Sequence, residues 1–349
     1  MKARRDLLAN ICVQETTHAG LWLDKFLEHQ TEEDGKDKEA IGKKAQLIQE
    51  VSTIEVPAGY QEAHKRREKL FSELKAAKQA ECCTATVEGR MIIGLGQKGP
   101  VEAGLALEHT WGVPIIPGSA LKGLTMAAAH LLLEDEEWRK KADGRGSSLA
   151  LLGGTLEHIG KVIFHDAWWI PAEGETLPIH LDVMTVHHPD YYKDGTKSPS
   201  DMDSPVPIPF ASVTGKFLVV VELSDPNSDE ADKLLDAALF ILQQGLAHLG
   251  IGAKTNAGYG RMKLDYQSQA EQQKKHELQQ QKLLNECCSL IDRLKINQAD
   301  TILKNLERLS GENRKIYADK VIKHLTEKSV AAKRAEGKAW ARILLEAVQ

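Results

Sequence analysis

Residues 247–264, AHLGIGAKTNAGYGRMKL, restrict what this chain can fold into more than any other stretch. Gly250, Gly252, Gly258 and Gly260 surround Lys254, Thr255 and Asn256, and the segment then closes on Tyr259, Arg261 and an alternating pattern that reads as a strand. A helical apolar pattern, LLDAALFILQQGLAHL, comes just before, so the order is helix, glycine loop, strand. Residues without Cβ let the backbone turn tightly and lie against a neighbour or a ligand. Lys254, Asn256 and successive backbone N–H groups of such a turn supply donors to an anion, and phosphate is the natural guest.

Two commoner glycine motifs are excluded. A Walker loop needs Gly directly before its Lys and lies between a strand and a following helix; here Ala253 precedes Lys254 and the order is reversed. Gly94, Gly96 and Gly99 do satisfy G-x-G-x-x-G after a strand-like segment. Pro100 follows, however, no helix is expected before about Ser119, and no second strand with an acidic end lies the expected ~20 residues on. This match is read as chance.

The 349 residues suffice for one large or two ordinary domains. No apolar run reaches the ~18 residues of a membrane span. The opening MKARRDLLANICV lacks the long apolar stretch of a secretory signal, so a cytoplasmic location is expected. Cys12, the pair Cys82 and Cys83, and the pair Cys287 and Cys288 make no C-x-x-C framework and are read as reduced bystanders. A net charge of -5 argues against nucleic-acid binding by bulk charge, so any such contact must be local. The charge is uneven: Lys and Arg outnumber Asp and Glu by 16 to 12 from Asp265 onward, but trail them 29 to 38 before it.

From the N-terminus, Leu7, Leu8, Ile11, Leu21, Trp22, Leu23, Phe26 and Leu27 suggest short helical pieces around a break at Gly20. TEEDGKDKEAIGKK (31–44) reads as a linker or surface loop, and a charged helix is expected over about 59–79. TATVEGRMII (84–93) opens the main domain as a strand. A long connection with Glu102, Glu108, His109 and Trp111 leads to a helix for which Ser119 is the expected N-cap and Leu121, Leu124, Ala128, Leu131 and Leu132 the apolar stripe. Lys122 in its first turn opposes the macrodipole unless an anion sits there, and a bound phosphate would resolve the conflict.

KVIFHDA (161–167) reads as a second strand, and the Pro-rich stretch 171–209 as a long insertion rather than a core element. A strand over 213–223, a helix, and a last strand over 259–266 follow. The order β, α, β, insertion, β, α, β is the split βαβ of an α+β, ferredoxin-like domain. The glycine loop and the Ser119 segment are expected at the same sheet edge. Beyond Tyr266, leucine-spaced segments broken at Gly311 and Gly337 read as a helical appendage. The expected division is an N-terminal helical extension (1–82), a ferredoxin-like domain (83–266) with a thumb-like insertion (170–210), and a C-terminal helical appendage (267–349).

These residues resemble the RAMP superfamily of CRISPR proteins, and within it the sixth, Cmr-type subunits of type III-B effector complexes. The resemblance rests on IPGSALKG (116–123), GKVIFHDA (160–167), LDVMTVHHPDYY (181–192) and LGIGAKTNAGYGR (249–261), with GLWLDKFL (20–27) similar to the family's opening segment. It implies a ferredoxin-like (RRM-like) core that binds CRISPR RNA near the guide's 3′ end inside an antiviral ribonucleoprotein. It also implies contact with target RNA and with other Cmr subunits, neighbouring RAMP backbone subunits above all. In that setting the chain is a non-catalytic RNA-binding subunit without a cofactor.

Carried onto this chain, Gly250, Gly252, Lys254, Thr255, Asn256, Gly258, Tyr259 and Arg261 would cradle guide phosphates, with Tyr259 free to stack, and Gly118, Ser119 and Lys122 would add phosphate contacts. The plainer reading is a tight helix-to-strand turn and a capped helix. His187, His188, Tyr191 and Tyr192 of the insertion would stack on bases, or else pack the insertion onto its own domain. A zinc site from His180, Asp182, His187 and His188 fits no standard ligand spacing. Some relatives are metal-independent endoribonucleases with a His near the helix after the first strand. His109, with Glu108 and Lys122, is the position that would make this chain one, although no second His is placed beside it.

Overall fold

The computed structural model describes residues 11–28, 38–141, 144–172, 174–188, 191, 192, 195, 198–203, 205–228, 231–291, 299–327 and 339–348. Two compact units divide after Tyr266. In the first, helices α1 (Ala19–Lys25), α2 (Lys38–Val51) and α3 (Ala58–Ala76) precede strand β1 (Ala80–Val87). A long connection reaches β2 (Ile115–Ile116) and α4 (Gly118–Leu132). The short strands β3 (Lys140–Lys141) and β4 (Gly144–Arg145) and helix α5 (Ser147–Gly153) come next. Then follow β5 (Val162–Phe164), β6 (Ala167–Trp169), β7 (Ile179–Val186), β8 (Val206–Val213), β9 (Lys216–Leu223), α6 (Ala231–His248) and β10 (Met262–Leu264).

The fold is α+β around an antiparallel sheet of order β10–β1–β9–β6–β2, with β5 also on β9. The β1–β9 ladder runs from Ala80↔Glu222 to Thr86↔Lys216, and Val87 opposes Met262 on the other side. Side chains alternate along a strand, so Phe217, Val219 and Val221 point to one face of β9 and Leu218 and Val220 to the other. The first set joins Ala85, Met262 and Leu264 in a core with Leu121 of α4 and Leu239, Leu242 and Leu246 of α6. The second set packs on Phe71 of α3. Both faces of β9 are covered, which is why FLVVV carries no polar residue. Burial of each large side chain here contributes about 1.5–3 kcal/mol. Tyr60 ties α3 down by donating its hydroxyl to the Trp169 carbonyl at 2.6 Å.

Several expectations need correction. The stretch 31–44 is not a linker throughout: residues 31–37 lie outside the described residues, and from Lys38 the chain is already in α2. Leu47, Ile48 and Val51 bury that helix, and all three follow the charged run that masked it. The strand read over 161–167 is two short strands, because the chain breaks at His165 and Asp166 to let α4 approach: a Cβ on Gly118 would sit 2.0 Å from the Phe164 carbonyl oxygen. The stretch 171–209 is not empty of core elements. It holds β7 and the start of β8, which pair over eight residues from Ile179↔Val213 to Val186↔Val206, with Ile179, Phe210, Ala211 and Val213 buried at the base. Pro207 and Pro209 are tolerated because a two-stranded ribbon has only edge strands, and alternate residues turn their missing N–H groups the same way. The strand read from Val213 begins at Lys216 instead, after a turn at Gly215 (φ +106°) that fits under the Trp169 indole. The last strand is shorter than 259–266.

On α3, His64 is 4% exposed, and its Nε2 has no partner among the described residues. Burial lowers its pKa, against the pull of the Glu68 carboxylate 4.0 Å from Nδ1. A histidine less basic in the folded than in the unfolded chain leaves stability whole above the unfolded value of about 6.5 and erodes it as the pH falls below that. The melting temperature is therefore expected to drop between pH about 7.5 and about 5.5, and to drop less in His64→Phe. Thermal melts at both pH values check this, and equal drops in the two proteins would contradict it.

The second unit consists of α7 (Gln269–Ser289), α8 (Ala299–Arg308), α9 (Gly311–Glu327) and α10 (Ala339–Val348). Its own core contains Leu284, Cys287, Ile302, Leu306, Tyr317, Val321 and Leu344, and Asn305 Nδ2 donates to the Tyr317 hydroxyl at 3.0 Å. Ile302 and Leu306 lie four apart and so on one face of α8. The break expected at Gly337 lies outside the described residues.

Candidate nucleic-acid interface

The loop 249–261 leaves the end of α6 and enters β10. Gly250, Gly252, Gly258 and Gly260 all have positive φ, between +74° and +95°, and Lys254 joins them at +58°. A Cβ on Gly260 would lie 1.9 Å from the Ile251 carbonyl oxygen, and one on Gly252 would lie 2.1 Å from that of Ile92. These two glycines are required by the fold. The backbone is largely consumed internally: Ile251 N–H donates to Gly260, Ala253 to Ile92, Ala257 to Lys254, Gly258 to Thr255, and Gly260 to Arg90. The expected cradle of backbone N–H groups is thus mostly spent on holding the loop's own shape. What the loop presents outward is side chains.

Lys254 and Asn256 are exposed, Thr255 is half-buried, and Lys254 makes no ion pair among the described residues. Arg261 is half-buried with its Nη1 enclosed and without an acceptor. An enclosed donor left unpaired costs about 1–3 kcal/mol, and among the described residues nothing accepts from this one. Tyr259 is otherwise engaged. Its hydroxyl donates to Asp182 Oδ2 of β7 at 2.9 Å, and its ring meets Phe210 of β8 edge-on, with centroids 5.9 Å apart. Burial, followed by the Asp182 contact, raises its pKa. Tyr259 therefore fastens the loop to the β7–β8 hairpin rather than standing free to stack.

The Gly118–Lys122 segment also differs from expectation. Pro117, not Ser119, occupies the N-cap position, and no side chain of that residue caps the helix. The Gly118 N–H instead donates to Asp166 Oδ1 at 2.7 Å. The anion at this helix's N-terminus is thus the chain's own carboxylate, while Lys122 makes no ion pair among the described residues. Ser119 is exposed and Lys122 half-buried. The strand before α4 and the strand after the glycine loop are the opposite ends of the order β10–β1–β9–β6–β2, so the two segments do not share a sheet edge. They are linked through the helices, where Gly245 of α6 packs on Leu124 and Ala128 of α4.

In the hairpin's connection, His187 and Tyr191 are exposed and Tyr192 is 74% exposed, with the two tyrosine rings edge-on at 5.5 Å. His188 is held by Asp203, Nδ1 to Oδ2 at 2.9 Å. His180 Nε2 meets Thr214 Oγ1 at 2.8 Å, and no group of three His, Cys, Asp or Glu suited to a metal occurs among the described residues. His109 is exposed, while Glu108 accepts the Thr110 and Trp111 N–H groups at 2.8 Å and so serves as a turn cap. The sequence reading missed Asp166 and Phe210, and weighed Asp182 only as a metal ligand, not as the partner of Tyr259. The polar pair His165–Asp166 inside an apolar run was the one local signal.

Residues 84–263, which hold most of this sheet and the glycine loop, match the family model described as "RAMPs: RAMP superfamily". The chain belongs to the RAMP superfamily. Among individual proteins it is similar to the CRISPR system Cmr subunit Cmr6 of Pyrococcus furiosus, 28% identical over 279 residues that cover 65% of this chain and 79% of that one. A cryo-EM structure of a type III-B Cmr-beta complex bound to cognate target RNA contains a chain of similar fold, with a TM-score of 0.52 at 17% identity, covering 76% of this chain and 95% of that chain. The crystal structure of Cmr6 from Pyrococcus furiosus aligns at 28% identity with a TM-score of 0.34, over 53% of this chain and 97% of that chain. Among the described residues no helix is long and apolar enough to cross a membrane.

Proposed function

We propose that this chain is a non-catalytic RNA-binding subunit of a type III-B Cmr effector complex. It works in the cytoplasm beside neighbouring RAMP subunits, holding CRISPR RNA near the 3′ end and supporting recognition of target RNA. The observation that carries this is a loop whose backbone is fixed by its own hydrogen bonds while Lys254 and Asn256 face outward and the half-buried Arg261 makes no ion pair among the described residues. Phosphate contacts come from these side chains, and Ser119 and Lys122 add to them at the start of α4. His187, Tyr191 and Tyr192 offer ring faces to unstacked bases.

We read the core as ferredoxin-like. Strands β1, β5 with β6, β9 and β10 are the four strands of the split βαβ, α4 and α6 its two helices, and the β7–β8 hairpin its insertion between strands 2 and 3. The parts are an N-terminal helical extension (1–82), the RAMP domain (83–266) and a helical appendage (267–349).

The test is an end-labelled single-stranded repeat RNA incubated with the purified full chain, with retention and integrity read on native and denaturing gels. Stable retention of intact RNA is expected. Absence of binding, or scission abolished by His109→Ala, would contradict the proposal.

A further inference from the structure

A second glycine-rich turn, residues 94–104, stands beside the loop 249–261 and has no role in the site so far. Gly94 (φ +84°) and Gly104 are required by the fold: a Cβ on either would lie 2.6 Å from backbone, at Ala106 N and at the Gly94 carbonyl oxygen respectively. Gly96 and Gly99 are different. Neither has a positive φ, and beyond the adjoining residues no atom of the described residues lies within 4 Å of where a Cβ would sit. Packing among the described residues requires glycine at neither position, and both are exposed together with Gln97 and Lys98.

The turn is built rather than loose. Gln97 N–H donates to Gly94, Glu102 to Gly99 and Gly104 to Leu95, and Lys44 of α2 pairs with the Glu102 carboxylate at 2.7 Å. Glu102 is held at φ +64°. Among the described residues only Lys78, Glu102 and Lys254 are non-glycine residues with positive φ, so two of the three lie in these two turns. Backbone held in such regions concentrates at ligand-contacting sites. The two turns are also joined: Leu95 and Ala103 share an apolar cluster with Ala253 and Tyr259, and Ala253 N–H donates to the Ile92 carbonyl at 2.8 Å. Lys98, three residues from Leu95, and Lys254, next to Ala253, are two cations on adjoining turns that make no ion pair among the described residues.

We infer that residues 96–99 form a second wall of the RNA path. The sugar-phosphate chain of a single strand passes between the turns, with Lys98 on one side and Lys254 on the other. Gly96 and Gly99 are glycine because the ligand, not the protein, occupies the space a Cβ would take. This rests on the reading of the loop 249–261 as an RNA site.

The experiment compares the full-length wild type, Lys98→Ala, the double variant Gly96→Ala/Gly99→Ala, and Lys254→Ala/Arg261→Ala. Each is titrated by fluorescence anisotropy with the same labelled single-stranded RNA over a salt series, with melting temperatures recorded in parallel. Lys98→Ala is expected to bind about 3–10-fold more weakly and to lower the magnitude of the salt slope by about 0.7, the contribution of one phosphate contact on a single strand. The glycine variant is expected to lose affinity at an unchanged melting temperature. Wild-type affinity and slope in Lys98→Ala, with Lys254→Ala/Arg261→Ala impaired, would overturn the second wall and leave the first site standing. Wild-type affinity in Lys254→Ala/Arg261→Ala would remove the reading on which the inference rests.

Discussion

Alanine at both Lys254 and Arg261 is expected to weaken binding of single-stranded RNA by about 10–100-fold at low salt and to reduce the magnitude of the salt slope by about 1.4, since each lost phosphate contact removes about 0.7. Hydrogen bonds to charged groups are the stronger ones, and among the described residues neither cation has a carboxylate partner, so their removal is expected to take away contacts to the ligand rather than contacts that hold the fold. Lys254 is exposed, and truncating Arg261 deletes an unpaired enclosed donor, so the melting temperature should stay close to that of the wild type. Anisotropy titrations from low to moderate salt decide the matter. Equal affinity and equal slope would show that the RNA is held elsewhere.

Gly260→Ala is expected to be the most damaging single substitution in the loop. The new methyl would stand 1.9 Å from the Ile251 carbonyl oxygen at a residue with φ +74°. The left-handed conformation alone costs an alanine about 1–2 kcal/mol. The forced separation also breaks the Ile251-to-Gly260 hydrogen bond, worth about 1 kcal/mol. A loss of about 3 kcal/mol in chemical denaturation, together with loss of RNA binding, is the expected outcome. Gly258→Ala is the contrast: its φ is +95° but nothing lies within 4 Å, so only the conformational cost of about 1–2 kcal/mol applies. If the two variants unfolded at the same denaturant concentration, the close packing of Gly260 on Ile251 would be wrong.

Local signals carried a good part of this molecule. The glycine loop lies between a helix and a strand, where its flanking patterns put it, and the strand read over 213–223 is there from Lys216 onward. Contacts between distant segments were not legible. Tyr259 looked like a stacking ring because its partner Asp182 is 77 residues away on a hairpin that the prolines concealed. Ser119 looked like an N-cap because the carboxylate that serves the helix, Asp166, lies 48 residues from Gly118. Helix α2 was hidden for a simpler reason: charged residues crowd its first turns, and apart from Ala40 its buried stripe begins only at Leu47. Gly96 and Gly99 were set aside with a chance motif, since a sequence cannot separate glycines that packing demands from glycines that it does not.

The most direct measurement is photo-cross-linking of a 4-thiouridine-substituted guide RNA to the full chain, with the modified peptides identified by mass spectrometry. Cross-links on the peptide spanning residues 249–261 are the expected result. Cross-links confined to residues 267–349, with the glycine loop unmodified, would contradict the assignment of that loop as the place where the chain grips its guide.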